Sequence, residues 1–152
     1  MLFVTWRLRG SLRQKPHCAT VSAVDRLLDR AQGEPLLLAQ PRYARIVKRS
    51  LQRYDNELYR LHAWVAMHNH IHLLIEPKAG ISHIARTIMD ETEHLSRTAL
   101  WVRESYERLV TDAAQMAHWI ENNPVRSGLV SRPEEFEWSS ANGEPSGKRE
   151  AA

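Results

Sequence analysis

The sequence predicts an α+β fold in which helices pack on one side of an antiparallel sheet. Two apolar segments, Ala63–Ala66 and His70–Ile75, flank a short break at Met67–Asn69, which indicates a tight pair of strands. Segments with apolar residues at helical spacing stand before and after this pair. At 152 residues and 43% hydrophobic content, the chain can form one compact core. We therefore expect a single domain over residues 1–141 and a disordered polar tail over residues 142–152.

The first half of the chain is predicted to hold a strand, two helices and the strand pair. Phe3–Arg9 alternates apolar and polar residues, as a strand with two different faces does. Residues 10–19 follow as a loop. Val21–Ala31 is predicted to be helical from the spacing of its apolar residues, which are Val24, Leu27, Leu28 and Ala31. Pro41–Arg53 is a longer helix, since proline is tolerated in a first turn, and the strand pair spans Leu58–Ile75.

The second half is predicted to hold a helix, a short strand and a last helix. Ile81–Leu95 has one apolar stripe, formed by Ile81, Ile84, Ala85 and Ile88. A short strand with its connection is expected over Trp101–Val110. Thr111 or Asp112 can cap the last helix, whose buried stripe consists of Ala113, Met116, Ala117 and Ile120. Asn123 and Pro124 are expected to end that helix.

Composition narrows the class of protein. The single cysteine, Cys18, excludes an internal disulfide and suits a reducing compartment. No apolar stretch has the length of a membrane span, so we expect a cytoplasmic protein with no membrane partner. Only four of the 21 basic residues are lysine, and an arginine bias fits a nucleic-acid partner because guanidinium binds phosphate bidentately. A GC-rich coding sequence enriches arginine equally well, so charge alone does not identify the partner.

The pair His70 and His72 is the strongest chemical signal in the chain. Residues two apart in a strand point to the same face, about 6–7 Å from each other. Two imidazoles on a rigid strand suit the binding of one divalent metal ion. Four of the eight histidines fall between His62 and His72, a density that favours a site. The alternative, two half-buried polar residues with no ligand, remains open from these residues alone.

The segment Met67-His-Asn-His-Ile-His-Leu-Leu-Ile-Glu-Pro77 resembles the signature of the REP-associated tyrosine transposases, which belong to the single-tyrosine, HUH-type transposase superfamily. Further segments resemble the same family in order along the chain, so that the resemblance runs from about Phe3 to Ser140. These segments are Phe3–Leu12 (first strand), Leu100-Trp-Val-Arg-Glu-Ser-Tyr106, Ile120-Glu-Asn-Asn-Pro-Val-Arg-Ser-Gly-Leu-Val130 and Trp138-Ser-Ser140.

The resemblance implies a ferredoxin-like fold and a role in DNA transposition and recombination. In the family, the histidine pair binds a divalent ion, Mg²⁺ or Mn²⁺, that polarises a phosphate of single-stranded DNA. A tyrosine on the C-terminal helix attacks that phosphorus and becomes attached to the 5′ end, which frees a 3′-hydroxyl. The implied partner is single-stranded or hairpin DNA, and the protein is expected to be a monomer or a homodimer.

This chain departs from the family pattern at the nucleophile. The position that should hold the tyrosine holds Trp119, whose indole nitrogen is a donor only and cannot attack phosphorus. Asn123 lies one helical turn further on, where the family has an additional metal ligand. Tyr106 is a weak fallback nucleophile, and Tyr43, Tyr54 and Tyr59 are weaker still. Strand cleavage is therefore expected to be impaired. Two smaller departures are His68, where the family usually has proline, and a short segment between Ile88 and Trp101.

Arginines that lie beside the predicted site are the candidates for DNA contacts, although a solvated surface role suits each of them too. They are Arg7, Arg9, Arg86, Arg103 and Arg126. Contacts of this kind to phosphate make binding strongly salt-dependent. Trp64 and Trp138 could stack on bases, but a tryptophan in an apolar strand more often belongs to the core.

Three functions remain open from the sequence. The first is a transposase-family protein that binds DNA and metal and has impaired cleavage. The second is a non-catalytic DNA-binding module in which the histidines hold a structural metal or none. The third is a metal-dependent nuclease that uses water, for which Glu76 and Glu121 are the only candidate bases near the site.

Overall fold

A computed structural model describes residues 1–12, 20–30 and 36–143. These residues form four strands and five helices: β1 (Leu2–Arg7), α1 (Val21–Arg30), α2 (Pro41–Arg53), β2 (Tyr59–Ala66), β3 (His70–Pro77), α3 (Ile81–Ser96), β4 (Tyr106–Leu109), α4 (Ala113–Glu121) and α5 (Asn123–Arg126). The predicted elements are present within a few residues of their expected bounds. Most of the predicted loop, the end of the first predicted helix at Ala31, Cys18 and residues 144–152 of the predicted tail lie outside the described residues.

The four strands form one antiparallel sheet in the order β2-β3-β1-β4, which confirms the predicted α+β class. The tight pair β2–β3 is joined by residues 67–69, as expected. The central pair β1–β3 places Thr5 opposite His72 and Arg7 opposite His70. Because paired residues of antiparallel strands share a face, these four side chains lie on the same side of the sheet.

One face of the sheet carries the predicted helical layer. Helices α2 and α3 pack against each other there. Trp6 of β1 meets Trp101 edge to face at 6.4 Å between ring centroids, and the indole N–H of Trp101 donates to the hydroxyl of Thr92 on α3 at 2.8 Å. This N–H is satisfied inside the core, as a buried indole requires.

The opposite face, which carries the histidine pair, is covered as well. Helix α4 packs on β2 and β3, and the ring of Trp119 lies edge to face against Phe3 at 5.8 Å. Helix α1 covers the same face through Asp25. Leu27, which the apolar spacing predicts to be buried, is 46% exposed. The reason is that α1 turns Asp25 to the sheet, and at 100° per residue Leu27 then points away from it.

The C-terminal helices differ from the prediction at one point. Of the two predicted caps, Thr111 and Asp112, it is Asp112 that caps α4, by accepting a hydrogen bond from the backbone N–H of Gln115 at 2.9 Å. After α4 ends at Glu121, Asn123 and Pro124 begin α5 instead of ending the helical segment. Proline is tolerated there because its missing N–H is not needed in a first turn.

The C-terminal segment closes the outer edge of the sheet. Ser139 forms a bridge with Val65 of β2, and the N–H of Ala66 donates to the carbonyl of Trp138 at 2.8 Å. None of the helices in the described part of the chain is both long enough and apolar enough to cross a membrane.

Candidate metal centre

Asp25, His70 and His72 form a buried cluster beneath α1. Their candidate ligand atoms all lie within 4.8 Å of one another. The Nε2 atoms of His70 and His72 are 3.2 and 2.8 Å from the same carboxylate oxygen, Oδ1 of Asp25. The exposed fractions are 4% for Asp25, 0% for His70 and 1% for His72. Both imidazole rings therefore direct Nε2 toward the buried carboxylate of Asp25.

The three residues come from two elements. The period of β3 places both histidines on one face, as the sequence predicts. Asp25 comes from α1 and was not predicted. One feature of the sequence could have indicated Asp25. It lies on the same side of α1 as Val24 and Leu28, which are both buried. An acidic side chain on a buried helical stripe needs a partner, and here its partners are the histidines.

Each histidine has a second polar neighbour at its other ring nitrogen. The Nδ1 of His70 is 2.7 Å from Oδ1 of Asn69, and the Nδ1 of His72 is 2.7 Å from the hydroxyl of Thr5. The amide N–H of Asn69 donates to the backbone carbonyl of Leu28 in α1 at 2.8 Å. Metal-binding histidines usually have such a partner on the nitrogen that does not bind the ion, because it orients the ring.

The last helices complete the cluster from the other side. Asn123 donates its amide N–H to Oδ1 of Asp25 at 3.0 Å. Its own Oδ1 is buried and has no hydrogen-bond partner among the described residues. The ring of Trp119 lies 5.4 Å from the ring of His72. Trp119 and Asn123, four residues apart, thus both reach the cluster although α4 ends between them.

Arg126 lies over Trp119 and next to Asp25. Its guanidinium carbon is 4.3 Å from the centre of the indole ring, and NH1 donates to the carbonyl of Trp119 at 2.7 Å. NH2 is 4.0 Å from Oδ2 of Asp25. This arginine, predicted to contact DNA, is held by the cluster itself.

The donor set fits a divalent cation. Two imidazole nitrogens and one carboxylate oxygen converge, and these atom types bind several divalent ions. Asn123, whose amide nitrogen contacts Asp25, also has a buried Oδ1 without a hydrogen-bond partner among the described residues. A buried amide oxygen without a partner carries a desolvation cost, which a bound cation would relieve.

The electrostatics of the cluster keep two of its ligands in the form that binds metal. Burial by itself raises the pKa of Asp25, but the hydrogen bonds with His70 and His72 outweigh it and hold that pKa well below its usual range. Burial lowers the pKa of His72 to about 4, against the opposing effect of its hydrogen bond with Asp25. At neutral pH Asp25 is ionised and His72 is neutral, and both are states that metal ligands require. Partial burial, together with the charge of Asp25, raises the pKa of Asp29 to about 6.

Tyr106 lies on the same face as the cluster but at a distance from it. It pairs with Thr5 across β1 and β4, and Thr5 pairs with His72 across β1 and β3. Two inter-strand spacings of about 4.8 Å put the backbone of Tyr106 about 10 Å from that of His72. Trp119, at the predicted nucleophile position, has its ring 5.4 Å from that of His72 and is closer to the cluster than the fallback nucleophile Tyr106.

The remaining predicted DNA-contact arginines have different surroundings. Arg7 is half-buried opposite His70 and donates to the hydroxyl of Ser11 at 3.4 Å. Arg9 is exposed, and its Nε donates to the carbonyl of Trp101 at 3.0 Å. Arg103 forms ion pairs with Asp90 and Glu93. Arg86 is exposed on α3, which covers the other face of the sheet.

Other residues considered from the sequence do not belong to the cluster of Asp25, His70 and His72. Trp64 and Trp138 are buried and belong to the core. Glu76 is exposed, with a carboxylate oxygen 3.6 Å from Nε2 of His62. Glu121 accepts a hydrogen bond from the hydroxyl of Ser140 at 2.7 Å. His68 is half-buried beside Phe136, with 6.5 Å between ring centroids.

A groove of about 490 Å³ opens beside the centre. It runs between the starts of α1 and α4 and along β4, and Trp119 forms part of its wall. The ring of Trp119 lies 5.4 Å from the ring of His72, so Trp119 is near both the groove and the cluster. The polar residues that line the groove are Thr20, Ser22, Arg108, Thr111, Asp112 and Gln115.

Comparison with known proteins gives one informative likeness. No family model and no curated protein matches the chain. Among solved structures, the chain is similar to that of a REP-associated tyrosine transposase bound to a REP hairpin. The match covers 99% of this chain and 92% of the other, with a TM-score of 0.62 and 18% sequence identity. At this identity the likeness demonstrates a shared fold.

Proposed function

We propose that this chain is a protein of the REP-associated tyrosine transposase family that binds single-stranded or hairpin DNA and one divalent metal ion, and whose strand cleavage is impaired. The observation that carries the proposal is the convergence of two distant segments. The histidine strand and the flank of the last helices meet at Asp25, where Asn123 approaches to 3.0 Å and Trp119 contacts His72. The resemblance assigns these same two segments to one catalytic site.

The likeness to a hairpin-bound transposase supports DNA as the partner. The match extends over 99% of this chain and 92% of the other. Half-buried Arg7 lies opposite His70, and Arg108 lines the groove next to Trp119. Both cations are therefore close to the path that a strand would follow toward the centre.

Asp25, His70 and His72 would hold the ion, with Oδ1 of Asn123 as an additional ligand. A bound divalent ion acts as a Lewis acid on a phosphate oxygen. Two imidazoles suit Mn²⁺ better than Mg²⁺, which prefers oxygen ligands and retains its waters. We therefore favour Mn²⁺ of the two ions expected from the family.

Trp119 supplies packing in place of a nucleophile. Its ring fills the space between Phe3, His72 and the guanidinium of Arg126. The indole has no atom that can attack phosphorus. Tyr106, about two strand spacings away from His72, is the less favoured alternative.

A non-catalytic DNA-binding module is the second candidate, and the burial of the centre favours it. Structural metal sites are closed, whereas catalytic sites keep an open position. The histidines are at most 1% exposed. The nuclease hypothesis has less support, because Glu121 is bound to Ser140 and Glu76 lies at the exposed end of β3.

The deciding experiment compares the variant Trp119→Tyr with the control Trp119→Phe. Phenylalanine is close to tyrosine in size but has no hydroxyl that could attack phosphorus. Each variant and the wild type are incubated with Mn²⁺ and with hairpin oligonucleotides taken from palindromes beside the gene. Covalent complexes are then sought on denaturing gels. We expect all three proteins to bind the hairpin and only Trp119→Tyr to form an adduct, in which a bond forms between the tyrosine oxygen and phosphorus as the 3′-hydroxyl leaves.

Different outcomes separate the hypotheses. An adduct of the wild type that disappears in Tyr106→Phe would identify Tyr106 as the nucleophile. Nicked DNA without attached protein would favour the nuclease. Unchanged hairpin binding in a His70→Ala, His72→Ala double variant that takes up no metal would favour the non-catalytic module. Failure of the wild type to bind any hairpin would overturn the proposal.

A further inference from the structure

Asn69 lies between the histidine pair and α1, and it is 3% exposed. Its side-chain oxygen is 2.7 Å from Nδ1 of His70. Its side-chain nitrogen is 2.8 Å from the backbone oxygen of Leu28. One buried amide thus contacts a candidate metal ligand on one side and the helix that supplies Asp25 on the other.

The contact with Leu28 decides which way the amide points. A backbone carbonyl can only accept, so the NH₂ group of Asn69 must face Leu28 and its oxygen must face His70. That oxygen can only accept as well. The Nδ1 atom of His70 therefore carries a hydrogen. The nitrogen left to bind an ion is Nε2, which contacts Oδ1 of Asp25 at 3.2 Å, so a bound ion would take the place of this contact.

Thr5 acts differently on His72. A hydroxyl both donates and accepts, so the contact of 2.7 Å between Thr5 and Nδ1 of His72 is compatible with a hydrogen on either ring nitrogen. Thr5 holds the position of the ring without fixing its tautomer. The two histidines are consequently supported by one rigid partner and one adaptable partner.

We propose that Asn69 is a positioning residue with two linked actions: it sets the tautomer of His70 and it anchors α1 so that Asp25 faces the histidines. Thr5 orients His72. The proposal rests on the metal site proposed above. The two actions are linked because Leu28 and Asp25 are three residues apart, on the same side of α1. Losing the hydrogen bond to Leu28 loosens the helix that carries the carboxylate ligand.

Variants of Asn69 separate the two actions. Asn69→Asp keeps an acceptor for His70 but has no N–H for Leu28, whereas Asn69→Ala removes both contacts. Thr5→Val removes the hydroxyl beside His72, and Thr5→Ser restores it. Thr92→Val is the matched control, because Thr92 is also a buried threonine with a hydroxyl hydrogen bond, but on the other face of the sheet.

The first measurement is ¹⁵N NMR of the histidine rings in the metal-free protein, which reports the protonated nitrogen directly. We expect a hydrogen on Nδ1 of His70 in the wild type and in Asn69→Asp, and loss of this preference in Asn69→Ala. Hydrogen exchange gives the second readout. Amides of α1 should exchange faster in both Asn69 variants than in the wild type or Thr92→Val.

The third measurement is the affinity for Mn²⁺ by calorimetry. Loss of an outer partner of a ligating histidine typically weakens binding about 10- to 100-fold. We expect a loss of this size in Asn69→Ala and Thr5→Val, and near wild-type affinity in Thr5→Ser and Thr92→Val.

A wild-type His70 that lacks a hydrogen on Nδ1, or an Asn69→Ala variant with unchanged affinity, would overturn the proposal. If the wild type binds no metal, the proposed metal site fails, whereas the ring tautomers and α1 exchange still test the two actions of Asn69.

Discussion

Asp25 is the residue that contributes most to the candidate metal centre, through the contacts and the charge of its carboxylate. Its Oδ1 atom lies within hydrogen-bond distance of three side chains from two other parts of the chain, which are His70, His72 and Asn123. A buried carboxylate without such partners would be costly. Asp25 also brings the only formal negative charge among the candidate ligands, so it sets the attraction of the centre for a cation.

Replacement of Asp25 by Asn should weaken Mn²⁺ binding by at least about tenfold, because a neutral amide oxygen replaces a charged ligand. Asp29→Asn is the matched control, since Asp29 lies one turn later on the same helix, is only partly buried and does not belong to the cluster of Asp25, His70 and His72. Calorimetric titration of both variants with Mn²⁺ measures the effect. Equal affinities for the two variants would remove Asp25 from the ligand set.

At the scale of elements, the C-terminal end of α3 is held to the segment that follows it by Glu93. One oxygen of Glu93 accepts hydrogen bonds from the backbone N–H groups of Leu100 and Trp101 at 2.8 and 3.0 Å. Arg103 pairs with the other oxygen. These contacts fix the connection between α3 and β4, and Trp101 itself forms a bridge with Leu8 after β1.

Glu93 should make stability depend on pH in the acid range. Burial alone would raise its pKa, but the two N–H groups and Arg103 lower it below the usual value of 4.5. A carboxyl whose pKa is lower in the folded state stabilises the fold above its unfolded pKa. That stabilisation is lost as pH falls through the lowered value.

We therefore expect Glu93→Gln to reduce the free energy of unfolding by about 2 kcal/mol at pH 7, and by progressively less as pH falls below 4.5. Urea denaturation at a series of pH values measures this difference. Glu137→Gln, at an exposed position in the C-terminal segment, serves as the control. A difference from wild type that is the same at pH 7 and pH 3 would show that the charge of Glu93 is not what stabilises the connection.

At the scale of the whole molecule, four of the five predicted DNA-contact arginines divide into two kinds. Arg103 and Arg126 have acidic partners: Asp90 and Glu93 for the first, Asp25 for the second. Arg7 and Arg9 contact neutral oxygens only in the described hydrogen bonds. A guanidinium whose charge is already balanced gains less from a phosphate, so we expect Arg7 and Arg9 to contribute more to DNA binding.

Arg7→Gln and Arg9→Gln should each weaken hairpin binding and reduce the slope of log affinity against log salt by about one. Arg103→Gln should leave that slope unchanged, because its charge is held by Asp90 and Glu93. Fluorescence anisotropy with a labelled hairpin at several salt concentrations measures both effects. A reduced slope in Arg103→Gln, with none in the other two variants, would place the DNA on a different surface.

The sequence by itself determined those features that depend on local periodicity and on capping. It predicted the bounds of α2 at Pro41–Arg53, a cap of α4 at Thr111 or Asp112 and the shared face of His70 and His72. Trp119 and Asn123 were also predicted to face the same way. In each case the residues that decide the feature lie within a few positions of each other, so the repeat of a helix or strand is sufficient.

Only the tertiary structure decided what those faces meet. Asp25 lies 45 residues before His70 and 98 before Asn123 in the chain. The local pattern of α1 favoured Leu27 as a buried residue, whereas packing on the sheet turned Asp25 inward and left Leu27 exposed. The physical reason is that periodicity sets the directions of side chains relative to their own element. The rotation of α1 about its axis is chosen instead by hydrogen bonds with residues distant in sequence, here the ring nitrogens of His70 and His72 and the amide of Asn69.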